Sequence, residues 1–270
     1  AAFGEVVMQA LPVGLKRIDP PDRRNARATK SPPPIQPPQL TDEQARAVAA
    51  VDPAAGFSAH LLHGVTGSGK TEVYLRLIDK TLALGRQVLL LVPEINLTPQ
   101  LEGRVRARFP ETEVVSLHSE LAEAARERHW RAAFEGAARI VLGTRLAAFT
   151  PLPELGLIIV DEEHDPSFKQ QDGVRYSARD LAVFRARQLA IPIVLGSATP
   201  SLESWANATA GAGRSRYQLL SLRERAVAGA RLPLVRRIDT RLDRAENGLS
   251  AALRAALAQR LECGEQSLLF

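Results

Sequence analysis

Cysteine is nearly absent: Cys263 is the only one in 270 residues. One thiol cannot build a disulfide framework, and it excludes a cysteine-rich zinc site within this chain. A free thiol in a reduced compartment is the plain reading. Long apolar runs are also missing, since none approaches the roughly 20 residues needed to span a bilayer. The opening stretch, AAFGEVVMQALPVGLK, has neither a basic start nor a small-residue cleavage site, so it does not read as an export signal. A soluble, cytoplasmic protein with no membrane partner is expected. There is no internal repeat and no initiating Met, and the chain stops inside the apolar run QSLLF with no turn signal. These ends read as those of a piece of a longer protein.

What is present reads as globular. With 45% hydrophobic and 24% charged residues, the chain has material for one large or two modest domains. A formal charge of +5 and a pI near 9.8 favour a polyanionic partner such as nucleic acid, without specifying one. Residues 19–39, DPPDRRNARATKSPPPIQPPQ, are dense in Pro and Arg and have few residues to bury, so they read as an extended linker. Its arginines are more readily explained by solvation than by DNA contact. A boundary falls near Leu40.

Beyond it, short apolar runs alternate with helical spacing. Candidate strands are 59–62, 88–92, 114–117, 139–142, 156–160 and 191–195. In 70–84, Val73, Leu77, Ile78, Leu82 and Leu84 approximate one helical face, with Gly85 as a stop. This alternation predicts an α/β fold, a mainly parallel sheet covered by helices on both faces. After about residue 203 the pattern thins: RYQLLSL and LPLVRRID read as edge or connecting strands, and 249–262, LSAALRAALAQRLE, as an amphipathic helix opening a second unit.

Residues 64–71, GVTGSGKT, match the phosphate-binding loop pattern between a strand and a helix. Gly64, Gly67 and Gly69 let the backbone curl so that the amides of the loop, Val65, Thr66 and Ser68 included, converge on a polyphosphate at a helix N-terminus. Lys70 is placed to reach the β- and γ-phosphates, and the Thr71 hydroxyl to ligate Mg²⁺. The strand LGLIIV then ends in DEEHD. An acid-rich turn is the simplest reading of DEEHD by itself. Behind a phosphate loop, Asp161 becomes a Mg²⁺ carboxylate, through the ion's water shell, and Glu162 the group that orients and deprotonates water. His164 either relays the nucleotide state to a neighbouring segment or is a plain hydrogen-bonded histidine.

Five segments, in order, carry a resemblance: GVTGSGKTEVYLRLI, LVPEINLTPQL, SLHSEL, the run from GTRLAAF through DEEHDPSFKQQDGVRYSARD, and IPIVLGSATPSLE. Over residues 40–205 they resemble the PriA family of bacterial primosomal, replication-restart DNA helicases, within superfamily 2. The resemblance implies a RecA-like P-loop NTPase lobe over 40–205. The implied remainder is a remnant of an N-terminal DNA-binding domain at 1–18, the linker at 19–39, a connecting segment at 206–248, and the start of an incomplete second lobe at 249–270. It implies an ATP- and Mg²⁺-dependent motor acting on single-stranded and forked DNA, with other primosome proteins and single-strand-binding protein as partners. Zinc is expected in the full-length family, but its ligands are not in this chain.

By the same resemblance, Gln44 is the adenine reader, with a surface glutamine as the alternative. Arg145 in GTR holds the DNA backbone, and Ser197 and Thr199 in GSATP couple hydrolysis to domain movement. The segment behind the acids resembles an aromatic-rich loop that senses single-stranded DNA: Phe168 and Tyr176 offer stacking faces, and Lys169, Arg175 and Arg179 offer charge. The alternative is that the two rings only pack the loop down. Position 174 is Val where the family leads one to expect Trp. Only the short linker separates residue 16 from Leu40, where the resemblance leads one to expect a winged-helix domain, and the cysteine-rich region and second lobe would follow Phe270. A kinase or GTPase on the same loop would leave GTR and SAT unexplained and lacks an NKxD guanine reader. A non-catalytic, nucleotide-dependent DNA-binding module stays open for a chain of this extent.

Overall fold

Strands buried on both faces need mostly apolar, uncharged side chains, and the chain supplies six such runs. The computed structural model describes residues 12, 37–94, 97, 99–211, 215–225, 235–239, 241 and 247–269. The expected N-terminal remnant and most of the linker therefore lie outside the described residues. By its contacts the chain divides into two units, Ala1–Ala228 and Gly229–Phe270.

In the first unit the order is α1 (Asp42–Ala50), β1 (Ala59–Gly64), α2 (Lys70–Ala83), β2 (Gln87–Leu91), α3 (Pro99–Arg108), β3 (Val114–Leu117), α4 (Glu123–Phe134) and β4 (Ile140–Gly143). There follow β5 (Leu155–Val160), a small hairpin of β6 (Lys169–Gln170) and β7 (Tyr176–Ser177), α5 (Ala178–Gln188), β8 (Ile193–Ser197), α6 (Leu202–Thr209) and β9 (Gln218–Leu222). Seven strands form one sheet in the order β3-β4-β2-β5-β8-β1-β9, every pair parallel. All six predicted strands are present. The seventh, β9, lies within RYQLLSL and occupies the sheet edge beside β1.

Alternate side chains of each strand feed two cores. On one face Leu61, Leu89, Leu91, Ile158, Val160 and Leu195 pack with Ala178, Ala182 and Ala186 of α5. On the other, Leu62, Leu90, Leu157, Ile159 and Val194 pack with Val73, Leu77 and Ile78 of α2 and Val105 of α3. Burying each of these Leu, Ile and Val side chains contributes about 1.5–3 kcal/mol. The helix predicted at 70–84 forms over Lys70–Ala83 and turns Val73, Leu77 and Ile78 inward with Leu82 partly buried, whereas Leu84, its C-cap, is 49% exposed.

In the second unit, α7 (Ala251–Glu262) is capped by Ser250, whose side chain accepts from the Leu253 amide. The predicted amphipathic character is corrected. None of its residues is buried: alanines and leucines together lie all round its axis, and Leu261 is 69% exposed. The 235–239 part of LPLVRRID is described and carries no strand.

His60 on β1 is buried, with Nε2 sharing a 2.9 Å hydrogen bond with Ser58 Oγ. Burial lowers its pKa from 6.5 to about 4. Between those values the unfolded chain binds the extra proton, so the contribution to stability is intact above pH 6.5 and is lost as pH falls towards about 4. A His60→Gln variant, lacking this titration, should lose less Tm than the unsubstituted protein across that window, as read by scanning calorimetry.

Candidate nucleotide site

The sheet's carboxyl edge gathers the polar residues, because a strand buried on both faces can carry charge only where it ends. Between β1 and α2 the loop 64–69 turns on two left-handed glycines, Gly67 and Gly69, each with φ 82°. Gly64 has no room for a side chain, since a Cβ there would lie 2.5 Å from Ser68 Oγ and 3.2 Å from Leu222 Cβ. Ser68 Oγ is itself buried without a hydrogen-bond partner. Val65, Thr66, Gly67, Ser68, Gly69, Lys70 and Thr71 line a cavity of about 540 Å³, with Asp161 and Glu162 opposite. Lys70 Nζ donates to the Gly64 carbonyl at 3.1 Å and stands 3.6 Å from Glu162 Oε1.

β5 delivers the acids. The Asp161 amide bonds Leu91 O on β2 at 2.8 Å, and its Oδ1 accepts from the Tyr74 hydroxyl of α2 at 2.8 Å. Burial raises the Asp161 pKa, and Tyr74 and Lys70 pull against that. Burial, then the charge of Asp161, pushes the Tyr74 phenol well above its usual range. Tyr74 has room because Gly196, at the end of β8, lacks a side chain: a Cβ there would overlap the phenol hydroxyl. Glu162 has φ 46°, a left-handed conformation that costs a non-glycine residue about 1–3 kcal/mol.

His164, Ser197 and Thr199 come together as a cluster. His164 Nδ1 and Ser197 Oγ are 2.7 Å apart, and Nε2 and Thr199 Oγ1 3.3 Å. The Thr199 amide also donates to Ser197 Oγ at 2.9 Å, and His164 Nδ1 is 3.7 Å from Glu162 Oε2.

Several expected residues sit differently. Gln44 is not on the surface, and it is not among the residues lining the cavity. It is buried, donating from Nε2 to Ser68 O at 2.9 Å, while its Oε1 accepts from the Thr41 amide at 3.0 Å. It is thus the N3 residue of a capping box on α1, and T-x-x-Q was the signal for it. Phe168 is 2% exposed and belongs to the core, so its face is not open for stacking. Tyr176 is half-buried and meets Phe149 edge-on, with ring centroids 5.0 Å apart.

Arg179, expected on the DNA side, is buried and bonded to Glu163 at 3.1 Å and to Asp180 at 2.8 Å. Its guanidinium is enclosed because the helix it starts packs against the sheet. Arg145 donates to Ser167 O at 2.9 Å, bracing the segment before the hairpin, and its Nε lies buried beside the equally unpartnered Tyr176 hydroxyl. Lys169 and Arg175 are the exposed cations of the hairpin, and Val174 beside them is half-buried.

Sequence reading missed Glu163, Arg104 and Arg108. Arg104 and Arg108 of α3 line the cavity, and Arg108 pairs with Glu72 at 3.1 Å. Glu163 is buried within four hydrogen bonds. For these three only proximity in the fold carries the signal.

Comparison with known proteins adds four findings. Residues 41–208 match the DEAD/DEAH box helicase family. The chain is 48% identical over 231 residues to the replication restart protein PriA of Haemophilus influenzae, covering 86% of this chain and 31% of that protein. It is 43% identical over 242 residues to its counterpart in Bacillus subtilis, covering 87% and 29%. The chain thus spans about a third of the length of these curated relatives. Among solved structures, RecG bound to a three-way DNA junction is similar, with TM-score 0.52, 23% identity, and coverage of 73% of this chain and 25% of that one. At that identity the likeness is one of fold, a RecA-like α/β lobe.

Two substitutions check this geometry. Phe168→Ala should destabilise the protein by about 3–5 kcal/mol, the range for emptying a core aromatic site, read by denaturant unfolding. Gly196→Ala should destabilise by about 1–3 kcal/mol through overpacking, and a Tyr74→Phe background should return part of that loss in a double-mutant cycle.

Proposed function

Because the chain belongs to the DEAD/DEAH box helicase family, we propose that it is the first, ATP-binding motor lobe of a replication-restart DNA helicase. The whole protein would couple ATP hydrolysis to translocation on DNA and to unwinding at stalled forks. The observation that carries this reading is the convergence of Lys70, Thr71, Asp161 and Glu162 on one cavity at the carboxyl ends of parallel strands. The similarity to two PriA proteins supports the choice of DNA and of replication restart.

The residues fit ATP and Mg²⁺. A buried, unpartnered Ser68 hydroxyl and a Gly64 with no space for a Cβ describe a cradle shaped for closely approaching oxygens. The Thr71 hydroxyl and the Asp161 carboxylate are hard oxygen donors that suit Mg²⁺. When bound, the ion neutralises charge on the phosphate oxygens. Lys70 leaves the Gly64 carbonyl and Glu162 for the β- and γ-phosphates, which frees Glu162 to orient a water and accept its proton. Tyr74 holds Asp161 in orientation through its hydroxyl. Gln44 supports the loop from behind through Ser68 O, and reading adenine would require it to exchange a present hydrogen bond.

His164, Ser197 and Thr199 form the path by which a change at the acids reaches the end of β8. Lys169 and Arg175 are the hairpin's cations for DNA phosphates, with Arg145 positioning that hairpin. Single-stranded and forked DNA are the proposed substrates, and other primosome proteins and single-strand-binding protein the proposed partners. A zinc region outside this chain and a cytoplasmic location complete the reading. No helix among the described residues is long and apolar enough to cross a membrane.

Among the described residues the cavity's lining cations are Lys70, Arg104 and Arg108, which come from α2 and α3 of this one lobe. This favours nucleotide binding with weak turnover by a chain of this extent alone. The test is steady-state ATP hydrolysis by the full-length protein with and without single-stranded DNA. Strong stimulation is expected, with losses of about 10²–10⁴ in kcat for Glu162→Gln and weakened ATP binding for Lys70→Ala. Turnover indifferent to DNA would overturn the motor reading.

A further inference from the structure

Two members of DEEHD, Glu163 and Asp165, are not used by the mechanism above, and Glu163 is the more enclosed, its side chain fully shielded from solvent. Its Oε1 accepts from the Ser201 amide at 2.7 Å. Its Oε2 accepts from Ser201 Oγ at 3.1 Å, Ser204 Oγ at 2.8 Å and Arg179 Nη1 at 3.1 Å. Arg179 Nη1 also donates to Ser201 Oγ at 2.7 Å, which closes a triangle of Glu163, Arg179 and Ser201. A buried carboxylate that takes four donors is held in a single position.

Each partner belongs to a different working segment. Arg179 lies in the first turn of α5, two residues past the end of β7, so the hairpin with Lys169 and Arg175 runs directly into it. Ser201 is the N-cap of α6 and follows closely on Ser197 and Thr199. Glu163 itself is the next residue after Glu162, whose left-handed backbone persists only if its surroundings enforce it. On one flank the Asp161 amide is pinned to Leu91 O, and on the other the Glu163 amide is pinned to Gly196 O at 3.0 Å. The enclosed Glu163 side chain is the anchor on that second flank.

We infer that Glu163 is a positioning residue: clamped by Arg179 and Ser201, it holds Glu162 in its left-handed conformation and makes the water-activating geometry depend on the hairpin at 169–177. A displacement of the hairpin moves Arg179, Arg179 moves Glu163, and Glu163 turns the adjoining Glu162. The link is short because every connection is a direct bond or a neighbouring residue. This inference rests on the reading of Glu162 as the group that activates water.

The experiment compares full-length protein carrying Glu163→Gln, Arg179→Lys or Ser201→Ala with the unsubstituted protein. The readouts are Tm, affinity for a non-hydrolysable ATP analogue, affinity for an oligodeoxythymidine, and kcat with and without that strand. Glu163→Gln should lower kcat by about tenfold or more at analogue affinity changed by less than about threefold. Arg179→Lys and Ser201→Ala should reduce the ratio of DNA-stimulated to DNA-free kcat by a factor of about five, with oligonucleotide affinity retained. If Glu163→Gln does not fold, the two milder variants carry the test. A lower Tm in Arg179→Lys and Ser201→Ala with both rates scaled together, or unchanged rates in Glu163→Gln, would assign Glu163 to packing and overturn the inference. Failure of the unsubstituted protein to hydrolyse ATP would overturn the underlying reading, and this inference with it.

Discussion

Strand β5 has no face on which to carry a polar side chain. All six residues from Leu155 to Val160 are buried, flanked by β2 and β8 and covered by a core on each side. Any charge the strand carries must therefore appear after Val160, at the edge where the phosphate loop also emerges from β1. The three consecutive acids there have different fates because the pleat, the turn and the neighbouring helices receive them differently. Asp161 meets Tyr74, Glu162 faces the cavity, and Glu163 is drawn inward. A parallel sheet with its strand ends aligned is thus what brings groups 90 residues apart in sequence into one site.

Much of this was legible in the sequence, for reasons that can be named. Doubly buried strands must be continuous apolar runs, so β1 to β5 and β8 announced themselves. The phosphate loop is equally explicit, because left-handed turns at Gly67 and Gly69 and a cradle with no space at Gly64 demand glycine. α2 could be read because its buried positions recur at helical spacing. In α7 the same residue types misled, since alanine counts as apolar in a pattern yet leaves no face that must be covered.

The hairpin region was harder because outside regular structure no periodicity fixes side-chain direction. Phe168 and Arg179 were plausible DNA contacts by type. The short 3₁₀ turn at Pro166–Phe168 points the ring into the core instead, and the first turn of α5 directs the guanidinium to a buried acid. Gln44 illustrates a milder failure: its capping box was spelled out locally, but its bond to Ser68 O joins residues 24 apart. Glu163 gave no local signal at all, being one acid among three.

The sheet edge has a mechanical consequence. β9 lies parallel to β1 with Gly64 opposite Leu222 and His63 opposite Ser221, and the Val65 amide reaches Leu222 O at 3.4 Å. Glu43 of α1 then holds the amides of Arg223 and Glu224. The end of β9 is therefore bonded to the start of the phosphate loop. A force directed along the axis of β9 would load its five paired residues in shear, and they would have to yield together rather than one by one. Such a force would arrive at Gly64 across the strand ladder, without passing through the interior.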